Sequence, residues 1–107
     1  MASIPAGSTD FLTHVYGSVF AARARVLDRL LPGDRLILVP DPPGVEEATV
    51  WVHAVGGDVV GHLSPDVSRW LVPAMLGGTR CGAEVHAVEG PGVESWKRLQ
   101  IRVRCHD

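Results

Sequence analysis

The sequence predicts a small, mainly β (α+β) domain: an SH3-like or OB-like barrel of about six strands with two short helices. Three observations carry this. Short apolar stretches of strand length recur along the chain, separated by Gly- and Pro-containing turns. Only two stretches, 20–31 and 65–76, repeat their apolar residues at helical spacing. The last stretch alternates cleanly, with Leu99, Ile101 and Val103 facing inward and Arg98, Gln100, Arg102 and Arg104 outward, as a half-buried strand requires. The order strand, helix, strand, hairpin, helix, hairpin fits a partly open barrel.

Taken in order, residues 1–10 are expected to form a flexible tail, and 11–107 a single domain. Residues 11–16 form a first strand ended by Gly17. Residues 20–31 form a short helix with Phe20, Ala24, Leu27 and Leu31 on one side and Arg23, Arg25 and Arg29 on the other. Pro32-Gly33-Asp34 stops it. Residues 35–39 are a buried strand, and 40–47 a loop with three prolines and a glycine. Strands over 48–55 and 58–63 flank Gly56-Gly57, a two-residue hairpin turn that needs positive φ at both positions. Counting back from that turn pairs Val55 with Asp58, His53 with Val60 and Trp51 with His62. The second helix, 65–76, has Ser64 as its N-cap and Pro65 at its first position. Val67, Trp70, Leu71, Ala74 and Met75 form its apolar stripe, and Gly77-Gly78 ends it. Strands over 80–88 and 97–105 close the chain.

The composition narrows the function. The 107 residues carry a net charge of -2, which disfavours a protein that grips duplex DNA through bulk charge. Nucleic-acid binding then has to come from a local patch. Basic charge is almost all arginine, with Lys97 the single lysine. A coding bias is the plain reading, and planar phosphate contact the functional one. No apolar run reaches the ~18 residues of a membrane span, and MASIPAGSTD lacks a signal-peptide pattern. A cytoplasmic protein with no membrane contact is the expectation. Cys81 and Cys105 lie outside any zinc-ligand spacing. Inert, unpaired thiols in neighbouring strands are expected for a reducing compartment.

No GxSxG, P-loop or GxGxxG occurs, and nothing pairs a nucleophile with a base, so no enzymatic activity and no cofactor are expected. The hairpin register places Trp51 beside His62 on the outer face, a flat platform on which unpaired bases stack. The bland alternative is a Trp51 covered by the tail or a helix. Arg23, Arg25 and Arg29 on the helix, and Arg98, Arg102 and Arg104 on the last strand, either track a phosphate backbone or form solvated charged faces. Three like charges on one sheet face need an offset, and Glu84 on the neighbouring strand is the candidate.

Four segments together resemble the HIRAN domain: VYGSVFAAR (15–23), PGDRLILVPDP (32–42), the GGDVVGHL hairpin (56–63) and the SPDVSRWLVPAMLGG helix (64–78). Strands 80–88 and 97–104 fit that family's closing hairpin, so the likeness spans roughly 11–104. The resemblance implies a small β-barrel with two helices that recognises single-stranded DNA or a free 3′ end, in DNA repair or replication, beside a helicase or nuclease. It points to Phe20 and Arg23 after the first strand and to His62 in Gly61-His62-Leu63. The family's Asn-Pro-Tyr-Asp loop is shortened here. Glu46 stands for the aspartate, and Val45 stands where the stacking tyrosine is expected. The candidate DNA-binding set is therefore His62, Trp51, Phe20, Arg23, Glu46, Tyr16 and Arg102. A protein-interaction barrel that has lost the 3′-end pocket is the alternative.

Overall fold

The computed structural model describes residues 8–20, 22–42, 44 and 47–106. Among these, six strands and two helices follow in the order β1 (Ser8–His14), α1 (Arg23–Arg29), β2 (Arg35–Asp41), β3 (Thr49–Ala54), β4 (Val59–His62), α2 (Pro65–Leu76), β5 (Arg80–Val88) and β6 (Leu99–His106). A 3-10 turn, Ser95–Lys97, leads into β6. All these strand pairs are antiparallel, in the order β1-β6-β5-β2-β3-β4. The sheet curls until its two edges meet. Past the end of β1, Tyr16 N–H donates to the His62 carbonyl at 2.8 Å, and His62 N–H donates to the Tyr16 carbonyl at 3.0 Å.

Side-chain alternation then sorts the chain into an inner and an outer face. Val15, Leu36, Leu38, Val50, Val52, Val60, Leu99, Ile101 and Val103 fill the interior. Leu27 of α1 and Leu71 and Val72 of α2 cover it. The buried Ser68 hydroxyl fastens α2 to the sheet: it accepts from Val50 N–H at 3.0 Å and donates to the Leu63 carbonyl at 3.4 Å. Ser64 caps α2 as expected, accepting from Val67 N–H at 3.3 Å.

Several expectations need correction. β1 begins at Ser8, because residues 8–10 pair with 104–106 and so gain a full ladder. α1 is shorter than 20–31 and buries Val26 and Leu27, whereas Phe20 (70% exposed) and Leu31 (65%) lie outside. The spacing of those two is helical, but the chain turns at Gly17, with φ +74, before the helix starts. Val55 does not face Asp58: Ala54 N–H donates to the Asp58 carbonyl, so the turn takes in Val55 and His53 faces Val59, and a bulge after Val52 then restores Trp51 opposite His62. Arg98 precedes β6. It donates to the Glu89 carbonyl and approaches Asp28 at 4.0 Å, so it leaves the outer arginine row. Cys81 and Cys105 are not free thiols. Directly opposed in β5 and β6, with Cα atoms 4.1 Å apart, they form a disulfide.

Two outcomes follow from this architecture. A Cβ on Gly61 would overlap the Tyr16 carbonyl oxygen and lie 2.7 Å from Val15 Cγ1. Gly61→Ala should therefore cost about 2–3 kcal/mol of stability by overpacking the closure, read as a lower urea midpoint. Reducing the Cys81–Cys105 bond, which spans 24 residues of sequence, should cost about 3 kcal/mol. Urea denaturation with and without dithiothreitol measures it, and Cys81→Ser should show the same loss without reductant.

Candidate nucleic-acid interface

The closing bridge has a direct consequence for side chains. Trp51, His62 and Tyr16 are register neighbours on three adjacent strand segments, so all three rings share the outer face. His14 precedes Tyr16 by two residues and joins the same face, while Val15 between them is fully buried. The 3-10 turn then brings Trp96 against both.

The result is one unbroken row of rings. His14 and Trp96 meet edge-to-face with centroids 5.4 Å apart. Trp96 and Tyr16 are nearly parallel, at 5.9 Å and 6°. Tyr16 and His62 stack at 6.2 Å and 20°. His62 and Trp51 meet at 5.6 Å and 74°. All four spacings fall in the range where aromatic pairs attract. Cations flank the row: the Arg23 guanidinium lies 5.6 Å from Trp51, the ring at one end, and 6.0 Å from Phe20, and the Lys97 ammonium lies 5.0 Å from Trp96, the ring next to the His14 end. These are cation–π distances.

Local contacts fix the rings. Arg23 donates to the Gly17 carbonyl at 3.4 Å, which turns its guanidinium towards the row. A Cβ on Gly17 would press on Arg23 Nη1 at 3.0 Å and touch His62 at 3.6 Å, so the positive-φ glycine serves the turn and leaves room for the Arg23 guanidinium. Trp51 Nε1–H donates to Asp41 at 3.4 Å. With its proton on Nδ1, His62 donates to the Leu63 carbonyl at 3.1 Å and leaves Nε2 as an acceptor beside Gly17.

Of the seven residues expected from sequence, the structure brings five together: Tyr16, Phe20, Arg23, Trp51 and His62. The reading of Trp51 as buried core is thereby set aside, since it is half-exposed. Arg102 does not join them. It lies on the outer face of β6, held bidentately by Asp10 at 2.8 and 2.7 Å. That hydrogen-bonded pair lowers the Asp10 pKa and raises that of Arg102. Glu46, with Val45, lies outside the described residues. Glu84 does offset the arginine row, through Arg104 at 3.3 Å. The helix arginines disperse: Arg23 joins the rings, whereas Arg29 pairs with Asp58 at 3.6 Å.

Sequence reasoning missed Trp96, His14 and Lys97. His14 was legible, because a residue two before Tyr16 in a strand shares its face. Trp96 carried only a weaker signal, a tryptophan in a polar Gly/Pro loop.

Fold and ring row together define a class: a small OB-like barrel that presents aromatic rings and flanking cations on the outside of its closure. Among solved structures, the HIRAN domain of human HLTF matches this chain with a TM-score of 0.63, over 92% of this chain and 77% of that one, at 17% sequence identity. The chain therefore has a HIRAN-type fold. No family model and no curated protein matches the sequence.

The row also makes a prediction of its own. Removing the Arg23 guanidinium, as in Arg23→Met, frees the Trp51 face. Acrylamide should then quench the tryptophan emission more strongly than in the unaltered chain, with the urea midpoint almost unchanged.

Proposed function

We propose that this protein is a non-enzymatic module that holds single-stranded DNA by stacking its bases on the His14–Trp96–Tyr16–His62–Trp51 row. The observation that carries this is the continuity of the row, with Arg23 over Trp51 at one end. Base–aromatic stacking contributes about 1–3 kcal/mol per base, and every base has a face to stack. Lys97 is offset by Glu94, which accepts from Trp96 Nε1–H at 2.6 Å and approaches the Lys97 ammonium at 3.9 Å, so Arg23, with no carboxylate at ion-pair distance among the described residues, is the cation left to meet a phosphate.

The HIRAN-type fold supports the same reading, and extends it to recognition of a 3′ end, with His62 Nε2 as the polar contact. Service in DNA repair or replication, beside a helicase or nuclease inside the cell, completes the proposal. A protein-docking reading draws on a different observation: Phe20, Ile37 and Val39 are exposed on and beside the same face.

Fluorescence anisotropy with a labelled ten-nucleotide single strand separates them. Trp96→Ala and His62→Ala should each weaken binding at least about fivefold, the loss of roughly 1 kcal/mol or more of stacking. A free 3′-hydroxyl binding more tightly than a 3′-phosphate, with the difference lost in His62→Ala, would support end recognition. Equal binding of the two ends would leave a general single-strand groove. Absence of binding at low salt would overturn the DNA reading in favour of protein docking.

A further inference from the structure

The outer face of the sheet carries a second feature beyond the ring row. β2 and β5 pair at only two positions, Arg35 with Glu84 and Leu36 with Ala83. Gly33 and Asp34 still bond to Val85 on one side of these pairs, whereas past Leu36 and Ala83 the pairing stops, and a cleft of about 390 Å³ opens between β2, β5 and β6. Gly82 lies in it, and a Cβ there would meet nothing within 4 Å, so the backbone is open to an approaching ligand. Arg35, Arg102, Arg104 and His106 line it, with Glu84.

The charges in and around this cleft do not cancel. Arg102 is held by Asp10. Arg104 is shared between Asp10 at 3.7 Å and Glu84 at 3.3 Å. Arg35 is exposed and has no carboxylate partner among the described residues. Among the described residues, three guanidinium groups thus face two carboxylates, a local positive excess in a chain whose net charge is -2. Guanidinium forks match phosphate oxygens bidentately, and the open floor lets a phosphate come close.

We infer that this cleft binds the phosphodiester backbone of the DNA strand whose bases lie on the ring row. The inference rests on that reading of the row. Register supports the link. Gln100, Arg102 and Arg104 occupy successive outward positions of β6, about 7 Å apart at the usual strand rise. Gln100 is paired with His14, the ring that ends the row against Trp96. A strand leaving the row past His14 therefore reaches Arg102 one outward step later and Arg104 one step beyond. Arg104, loosely divided between two carboxylates, can turn to a phosphate without breaking a short ion pair, and Arg35 has no ion pair to break.

The test compares labelled four-nucleotide and twelve-nucleotide oligothymidylates by anisotropy at several salt concentrations. The short probe fills the row, and the long one also spans the cleft. Arg35→Glu should weaken the twelve-mer about five- to tenfold and leave the four-mer unchanged. It should also flatten the salt slope by about 0.7 for each phosphate that the protein no longer neutralises. Arg104→Ala should do the same more mildly. Both residues are exposed, and an unchanged urea midpoint checks the fold. A twelve-mer that binds Arg35→Glu as it binds the unaltered chain, while Trp96→Ala weakens it, overturns the cleft and leaves the row. Equal weakening of both probes also overturns it. Failure of either probe to bind the unaltered chain overturns the row, and the cleft with it.

Discussion

Two backbone hydrogen bonds between Tyr16 and His62 decide the shape of this molecule. Without them the sheet would end in two open edges, β1 on one side and β4 on the other, each presenting unpaired amide groups. With them the chain beyond β1 becomes the strand next to β4, and the sheet closes. The bridge demands a residue without a side chain at Gly61, because the Tyr16 backbone passes where a Cβ would stand. Gly61 does not have a positive φ. It is needed for the close approach of two backbones, not for a turn.

Everything on the outer surface inherits that closure. Tyr16 is remote in sequence from Trp51 and His62, and only the bridge makes its segment a neighbour of His62. The ring row is thus a product of topology. A barrel with the same strands but an open seam would keep the Trp51–His62 pair, because the hairpin fixes it, and would lose Tyr16, His14 and Trp96 from the site. The interior is less sensitive. Its valines and leucines follow from period-two alternation in each strand and from Leu27, Leu71 and Val72 on the helices. Fold and site therefore draw on different parts of the same physics: alternation builds the core, and closure assembles the platform.

This division explains what could be read from sequence. The Trp51–His62 pair followed from counting outward from Gly56-Gly57, although the turn also takes in Val55; the bulge after Val52 offsets that extra residue and restores the counted register. α2 followed from its cap and stripe. The outward side chains of β6 followed from alternation, apart from Arg98, which the preceding 3-10 turn takes out of the strand. Trp96 did not follow, since its place depends on how a Gly/Pro loop folds back over β1, and no periodicity encodes that. The disulfide was missed for another reason. The opposition of Cys81 and Cys105 was legible, but their oxidation depends on the compartment as well as on geometry. The family resemblance grouped Phe20 with Arg23, and the two are in contact, whereas helical spacing put Phe20 in a helix that starts only at Arg23, because spacing alone cannot tell where a helix begins.

The balance of forces at the surface sets the character of any DNA complex. At net -2 the whole chain repels a polyanion weakly. Long-range attraction is therefore confined to about a Debye length around Arg23, Arg35 and Arg104. Stacking at about 1–3 kcal/mol per base is short-ranged and almost independent of salt. Three stacked bases contribute at most about 9 kcal/mol, and association itself costs about 4 kcal/mol or more. The rings alone thus reach only weak binding, above the micromolar mark at about -8.2 kcal/mol. Tight binding requires phosphate contacts in addition, and the exposed Arg35 beside Gly82 lies where a strand continuing from the row would find them. A binder built in this way prefers flexible single strands over duplex, because only unpaired bases can leave their own stack to lie on another.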